Sequence, residues 1–167
     1  MIELELFSEK HVPGVEALLD DPAVLRFTRV PEPVPENFAA GWVARYEDAR
    51  RDGTREAFAV VEDGDFLGLA LAPTIDRETQ TAELGYVVAP AARGRGVATE
   101  ALRQLTEWAL AEGMLRIELL ISVDNPASQK VAERCGYVRE GVLRSLYFKE
   151  NLRGDTAIYS LLPGDPR

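Results

Sequence analysis

The sequence predicts a mixed α/β fold in which one central sheet carries helices on both of its faces. Two observations lead to this prediction. Strand-like segments separated by turn residues follow one another in the first half of the chain, which is typical of antiparallel pairing. The stretch 81–135 then alternates strand, helix, strand and helix, and such a crossover requires parallel pairing. The sheet is therefore expected to be mostly antiparallel.

The first half of the chain is predicted to contain three strands and two helices. Alternation of apolar and acidic residues favours the first strand, and apolar residues three and four positions apart favour the helices. Asp20-Asp21-Pro22 and Gly53 are expected to end the two helices, and Asp63-Gly64-Asp65 is typical of a hairpin turn. Three prolines between the helices predict a stiff loop. The predicted elements are strand 2–7, helix 12–19, helix 37–51, strand 57–61 and strand 66–72.

The second half of the chain is predicted to form the crossover and a group of C-terminal strands. Apolar residues at helical spacing favour a helix that Gly113 ends, and a β-branched run after it favours a buried strand. Asn125 and Pro126 are typical of a helix start, because Asn accepts from unpaired N–H groups and Pro fits the first turn. The predicted elements are strand 81–88, helix 97–112, strand 115–123, helix 126–135, and strands 138–140, 143–149 and 156–162.

Composition indicates an ordinary folded protein. The chain has 167 residues, of which 46% are hydrophobic and 28% charged, and it contains no repeat or linker, so residues 1–167 are expected to form one domain. No apolar run reaches the length of a membrane span, and the acidic N-terminus is unlike a signal peptide. The single Cys135 excludes an internal disulfide and favours a reducing compartment, so the cytoplasm is the expected location.

The charge balance and the scarcity of metal ligands exclude two further classes. With one histidine, His11, and one cysteine, the chain is not expected to bind a metal. The net charge of -9 argues against nucleic acid as a partner, because neutralising phosphates requires clustered Lys and Arg. It suits an enzyme whose second substrate is an amine.

The segment Arg93-Gly94-Arg95-Gly96-Val97-Ala98-Thr99 carries the strongest functional signal. It joins a predicted strand to a predicted helix, and the first N–H groups of a helix have no internal partner and favour an anion. A Walker loop is excluded because no lysine lies between Lys10 and Lys130, and a dinucleotide fingerprint is excluded by Thr99. An ordinary turn with solvated arginines is the alternative to a phosphate site.

The pattern Arg93-x-x-Gly96-x-Ala98 after a strand resembles the acyl-CoA pyrophosphate loop of the GNAT N-acetyltransferase superfamily. Further segments resemble its RimJ/RimL-like branch, whose members acetylate N-terminal amines of ribosomal proteins or small molecules. The resemblance covers nearly the whole chain and implies a sheet that splays between its two parallel strands at the acyl-CoA site. The segments that carry it are 82–86, 93–99, 125–128, 133–141 and 154–162.

The resemblance also implies which residues bind acetyl-CoA, the expected co-substrate. The strand before the loop would contact the pantetheine through its main chain, and the loop would hold the pyrophosphate. Asn125 has two roles open to it, a helix cap and a hydrogen bond to the cofactor arm, and both are expected. The implied cofactor-binding residues are Tyr86, Val87, Val88, Arg93, Gly94, Arg95, Gly96, Val97, Ala98, Thr99, Asn125 and Ser128.

Acetyl transfer to an amine needs a base and a proton donor for the leaving thiolate, since most alkyl amines are protonated near pH 7. Glu83 matches the acidic residue of the family's A-E-L/I-G-Y segment and is the candidate base; a solvated or arginine-paired carboxylate is the alternative. Ser128 is the candidate near the thioester sulfur, and a locally satisfied first-turn serine is its alternative. Many superfamily members have a tyrosine acid where this chain has Ala132, so Ser128 or water must donate. Tyr137 is expected to be structural.

The acceptor is predicted only as a primary amine, on a protein N-terminus or a small molecule. The family's acceptor region corresponds here to the proline-rich loop and the helix after it, so Arg26, Phe27 and Trp42 are candidate substrate contacts. A non-catalytic acyl-CoA-binding regulator on the same fold is the alternative function, and a plain interaction module is the third. The C-terminal strands offer a surface for a homodimer.

Overall fold

Seven strands form one sheet in the computed structural model, which describes all residues from 1 to 167. They are β1 (Ile2–Leu6), β2 (Glu56–Glu62), β3 (Asp65–Asp76), β4 (Thr81–Val88), β5 (Arg116–Ser122), β6 (Val138–Lys149) and β7 (Leu152–Leu161). Their order across the sheet is β1-β2-β3-β4-β5-β7-β6, and only β4 and β5 pair in parallel. The predicted mixed, mostly antiparallel sheet is confirmed.

Five α-helices cover the two faces of this sheet. They are α1 (Val12–Leu18), α2 (Pro22–Phe27), α3 (Phe38–Asp52), α4 (Val97–Ala111) and α5 (Pro126–Arg134). On one face α1 to α3 enclose a cluster of 10 buried residues that includes Phe7 and Val43. On the other face α4 and α5 pack over a cluster of 24 buried residues that includes Leu102 and Leu105. Each helix buries its apolar stripe against the sheet, which is what its sequence period requires.

The structure differs from the sequence prediction at α2, in the continuity of β6, and at β7, which begins at Leu152 and not at Thr156. The first predicted helix does end before Asp20-Asp21-Pro22, since α1 ends at Leu18, but Pro22 also begins a helix that was not predicted, α2, with Asp21 as the N-cap whose carboxylate accepts from the Ala23 N–H at 3.1 Å. Proline fits the first helical position because its missing N–H would be unpaired there in any case. The predicted strands 138–140 and 143–149 are one continuous strand, β6, whose register against β7 shifts at Gly141 and again after Leu143.

The sheet splits between its two parallel strands. Only three residues of β4, Thr81 to Glu83, pair with β5, at Arg116 to Glu118. Beyond Glu83 the strands diverge, while β4 stays paired with β3 as far as Val88. Gly68 of β3 makes this pairing possible, because its φ is +156° and a Cβ there would lie 2.1 Å from the Val87 carbonyl oxygen. The split therefore leaves one edge of β4 without a strand partner.

Lys149, at the end of β6, links α2 and the segment after it to the sheet. Its side chain is 8% exposed. The Nζ atom donates to the carbonyl oxygens of Leu25 at 2.6 Å and Val30 at 2.8 Å, and it lies 2.8 Å from Glu32 Oε2. One ammonium group thus satisfies three acceptors on a stretch that contains no strand and does not pair with the sheet.

Replacing Lys149 with Met is expected to lower the free energy of unfolding by about 2–4 kcal/mol, because two backbone carbonyls lose their buried donor. Urea titration followed by circular dichroism measures the change. Lys130→Met is the matched control, since Lys130 is exposed and donates no hydrogen bond within the protein. Equal stability of the two variants would show that the Lys149 contacts are replaceable by water.

Candidate functional site

One groove of about 1810 Å³ opens where β4 and β5 diverge. Its walls come from the split strands, the segment around α2, the groove-facing side of α3, and the first turns of α4 and α5. All but one of the predicted site residues line it, and Arg95 is the exception. Those on the walls are Arg26, Phe27, Trp42, Glu83, Tyr86, Val87, Val88, Arg93, Gly94, Gly96, Val97, Ala98, Thr99, Asn125 and Ser128.

The loop between β4 and α4 presents a row of backbone donors to this groove. Gly94 and Gly96 have φ values of +74° and +80°, a left-handed conformation that glycine adopts without steric cost. None of the six N–H groups from Gly94 to Thr99 makes a hydrogen bond within the protein. The positive end of the α4 dipole adds to their charge. The row therefore has the geometry and polarity of a phosphate site.

The two loop arginines are engaged by carboxylates of the protein. Arg93 donates from Nε to the Val88 carbonyl at 3.1 Å and forms an ion pair with Asp21. Partial burial acts to raise the pKa of Asp21, but the Arg93 guanidinium and the Ala23 N–H outweigh it and hold that pKa below its usual value. Arg95 pairs with Glu62 at 2.6 Å, away from the groove. An anion in the loop would therefore be bound mainly by backbone N–H groups and less by these two guanidinium groups.

The side of the split opposite the loop is built by the first turn of α5. Asn125 caps this helix, its Oδ1 accepting from the Ser128 N–H at 3.2 Å. Tyr86 reaches across from β4 and donates its hydroxyl to the Ser128 carbonyl at 3.2 Å, and burial raises the pKa of Tyr86 to about 12. The Ser128 hydroxyl itself has no hydrogen-bond partner in the protein and lines the groove. It is a free donor beside the split.

Glu83 lies at the base of the split, on the last rung that β4 and β5 share. Its side chain is 18% exposed, and one oxygen, Oε1, is 3.0 Å from Arg29 Nη2. The second oxygen has no hydrogen-bond partner in the protein. Sequence patterns did not identify Arg29, because it lies in an irregular stretch 54 residues before Glu83, and nothing in its local pattern indicates the contact. This ion pair fixes the carboxylate and leaves one oxygen facing the groove.

The predicted acceptor residues form the outer part of the groove. Arg26 stacks over the Phe27 ring at 4.8 Å and lies 3.7 Å from Asp124. Trp42 packs against Phe7 and Phe38 and still reaches the groove. The Tyr46 side chain is 4% exposed, and burial raises its pKa to about 12.

Gly85 keeps the space beside Glu83 open. Side chains alternate along a strand, so Gly85 shares the face of Glu83. A Cβ at Gly85 would meet no atom within 4 Å. The sequence prediction included no role for this glycine, because an isolated glycine in a strand has several common explanations.

Three other residues lie outside the groove. Tyr137 is 4% exposed and its hydroxyl is 2.7 Å from Thr106 Oγ1, in the apolar core, as its structural assignment predicted. Ala132 and Cys135 are also buried. The structure contains no group of three or more His, Cys, Asp or Glu side chains that could hold a metal ion. None of its helices has the length and apolar character that a membrane crossing requires.

A family model and the curated relatives that match this chain are all acetyltransferases by name. A family model described as an acetyltransferase (GNAT) domain matches residues 2–138. YdaF of Bacillus subtilis, provisionally named a ribosomal N-acetyltransferase, is 34% identical over 60% of this chain and 55% of its own length. A ribosomal-protein-serine acetyltransferase of Escherichia coli is 29% identical over 65% of this chain and 61% of its own. The chain thus matches little more than half the length of these curated relatives.

A solved structure shares the whole fold. RimL, a ribosomal L7/L12 alpha-N-protein acetyltransferase in complex with coenzyme A, superposes with a TM-score of 0.87 and 22% identity over 96% of this chain and 93% of its own. At that identity the similarity shows the fold alone. The family match and the two curated relatives confirm the predicted resemblance to the RimJ/RimL-like branch.

Proposed function

This chain belongs to the GNAT acetyltransferase family, and on that premise we propose that it transfers the acetyl group of acetyl-CoA directly to a primary amine. The acceptor is an N-terminal amine of a protein or the amine of a small molecule. The observation that carries the proposal is the row of six unpaired N–H groups from Gly94 to Thr99, which opens into a groove that ends at Glu83. Such a row binds a pyrophosphate without needing a metal or a lysine.

Acetyl-CoA supplies an acetyl group activated as a thioester. The unpaired edge of β4 beyond Glu83 offers main-chain groups to an extended pantetheine arm, and an N–H on that edge can polarise the thioester carbonyl. The predicted contacts of Tyr86, Val87 and Val88 belong to this edge. The split and the loop together support the arm and the pyrophosphate of one ligand.

Glu83 accepts the proton that the amine must lose. The amine nitrogen forms a bond to the acetyl carbon, the carbon–sulfur bond breaks, and the proton leaves nitrogen for the free carboxylate oxygen of Glu83, directly or through one water. Arg29 holds the other oxygen, so the carboxylate does not rotate away from the groove. Gly85 leaves room for the amine beside it.

Ser128 assists the departing sulfur. Its hydroxyl has no other partner, and it can donate a hydrogen bond to a thiolate in the split. A serine hydroxyl is a weaker acid than a thiol, so the hydrogen bond stabilises the thiolate and water supplies the proton that finally appears on sulfur.

Purified protein incubated with acetyl-CoA and a panel of amines tests the proposal. The panel includes amino acids, polyamines, aminoglycosides and peptides with varied N-terminal residues. We expect free thiol to appear only when a suitable amine is present, in equal amount to the acetylated amine found by mass spectrometry, because transfer is direct. Calorimetric binding of acetyl-CoA without thiol release for any amine would instead indicate a non-catalytic acyl-CoA-binding regulator.

A further inference from the structure

The groove differs in charge from the rest of the protein. The chain carries a net charge of -9, yet the cationic side chains that line the groove outnumber the acidic ones by eight to four. Two of those cations, Lys130 and Arg134, lie on α5, and Arg93 lies on the phosphate loop. The remaining five are Arg26, Arg29, Arg45, Arg55 and Arg153.

Two of these five arginines, Arg45 and Arg55, form no ion pair and donate no hydrogen bond within the protein, and of the two only Arg45 lies over an aromatic ring, that of Phe38 at 5.1 Å. Arg55 precedes β2, where Glu56 pairs with Ala72, and it lines the groove next to Pro73 and Thr74. Thr74 lies directly opposite Glu83 in the β3–β4 register. Unlike Arg26 and Arg29, Arg55 forms no ion pair, and it donates no hydrogen bond within the protein.

Arg55 and Arg29 lie on the same side of the split as Glu83. All three side chains line the groove, as does the Tyr46 side chain, which is 4% exposed. Glu83 offsets only one guanidinium, and it does so through Arg29. Arg55 is therefore left without a carboxylate partner, and a guanidinium remains charged at every physiological pH.

We propose that the acceptor amine carries an anionic group, a carboxylate or a phosphate ester, and that Arg55 binds this group while the amine faces Glu83. The proposal rests on the amine acetylation proposed above and narrows its acceptor class. A guanidinium binds either anion through two parallel hydrogen bonds, which orients the acceptor as well as attracting it. A purely cationic amine would be repelled by the same charge.

Matched pairs of acceptors test the assignment. The probes are amino acids against their carboxamides and O-phosphoethanolamine against ethanolamine. Thiol release gives kcat and KM, and calorimetry on protein loaded with CoA gives Kd without turnover. Amidation also lowers the pKa of the neighbouring ammonium, so more of the amide's amine is neutral and reactive. A difference in reactivity alone would therefore favour the amide and not the carboxylate. Arg55→Gln is compared with Arg51→Gln, a surface arginine that lies outside the groove.

We expect at least one probe with an anionic group to bind about ten to a hundred times more tightly than its counterpart without that group. Arg55→Gln should remove that preference, and Arg51→Gln should keep it. Equal or weaker binding of every anionic probe overturns the assignment, whether or not thiol is released. Tight, Arg55-dependent binding with no thiol release for any probe would keep the anion site and refute acetyl transfer to these amines.

Discussion

Glu83→Gln is expected to reduce kcat for acetyl transfer by about two to four orders of magnitude, the usual contribution of a positioned general base. Glutamine has nearly the same size, and its amide oxygen can still accept from Arg29, so the groove keeps its shape. What is lost is only the capacity to take a proton. The defect should therefore appear in kcat, with little change in the Kd for CoA.

The pH dependence separates this role from a structural one. The variant can use only amine that is already neutral, so its rate should rise with pH toward the acceptor's own pKa, about 8 for an α-amine and about 10 for an alkyl amine. The ratio of wild-type to variant rate should fall over the same range. Glu118→Gln is the control, since Glu118 occupies the same rung on β5 outside the groove. Identical kcat and pH profiles for wild type and Glu83→Gln would rule out Glu83 as the base.

Gly96→Glu is expected to weaken CoA binding by at least about a hundredfold, or about 2.7 kcal/mol. A carboxylate at this position accepts from the N–H groups of the loop and repels a pyrophosphate from the same donors. The φ of +80° adds about 1–2 kcal/mol of backbone strain for any residue with a Cβ, although that Cβ would meet no atom within 4 Å. Titration calorimetry with CoA measures the affinity.

Two variants separate charge from strain. Gly96→Ala carries the strain without the carboxylate and should lose far less affinity. Gly64→Glu adds the same charge at a φ of +88°, also with no atom within 4 Å of its Cβ, but in the β2–β3 turn away from the groove. It should lose stability and keep CoA affinity. Unchanged affinity in Gly96→Glu would remove the loop from the binding site.

Local patterns predicted the parts of the site that depend on local structure. The loop from Arg93 to Thr99 and the cap at Asn125 depend on glycine conformation and on hydrogen bonding at a helix end, and both can be predicted from the local sequence. The parallel β4–β5 pair was predicted from the strand–helix–strand order, and this prediction does not depend on side-chain contacts. The predicted roles of Glu83 and Ser128 stay predictions, and the structure adds to Glu83 a partner and an orientation.

Contacts between distant segments could not be predicted in the same way. Arg29 and Glu83 meet because a loop without periodicity folds over the sheet, so no spacing rule connects them. Pro22 was correctly predicted to follow the end of a helix, but that it also begins α2 was missed, because the Asp21 side chain caps α2 only once the chain is folded. The continuity of β6 was not predicted because a glycine such as Gly141 often separates two strands. In the structure Gly141 instead marks a register shift inside one strand.

The Lys149 contacts couple two regions that are 117 to 124 positions apart in the chain. The stretch from Leu25 to Glu32 carries Arg26, Phe27 and Arg29, and its path is set by an ammonium on the last residue of β6. A chimera that imports this stretch from a relative would therefore need to import position 149 with it. The same coupling predicts correlated substitutions: natural variants that lack a lysine at position 149 should also differ in the stretch from Leu25 to Glu32.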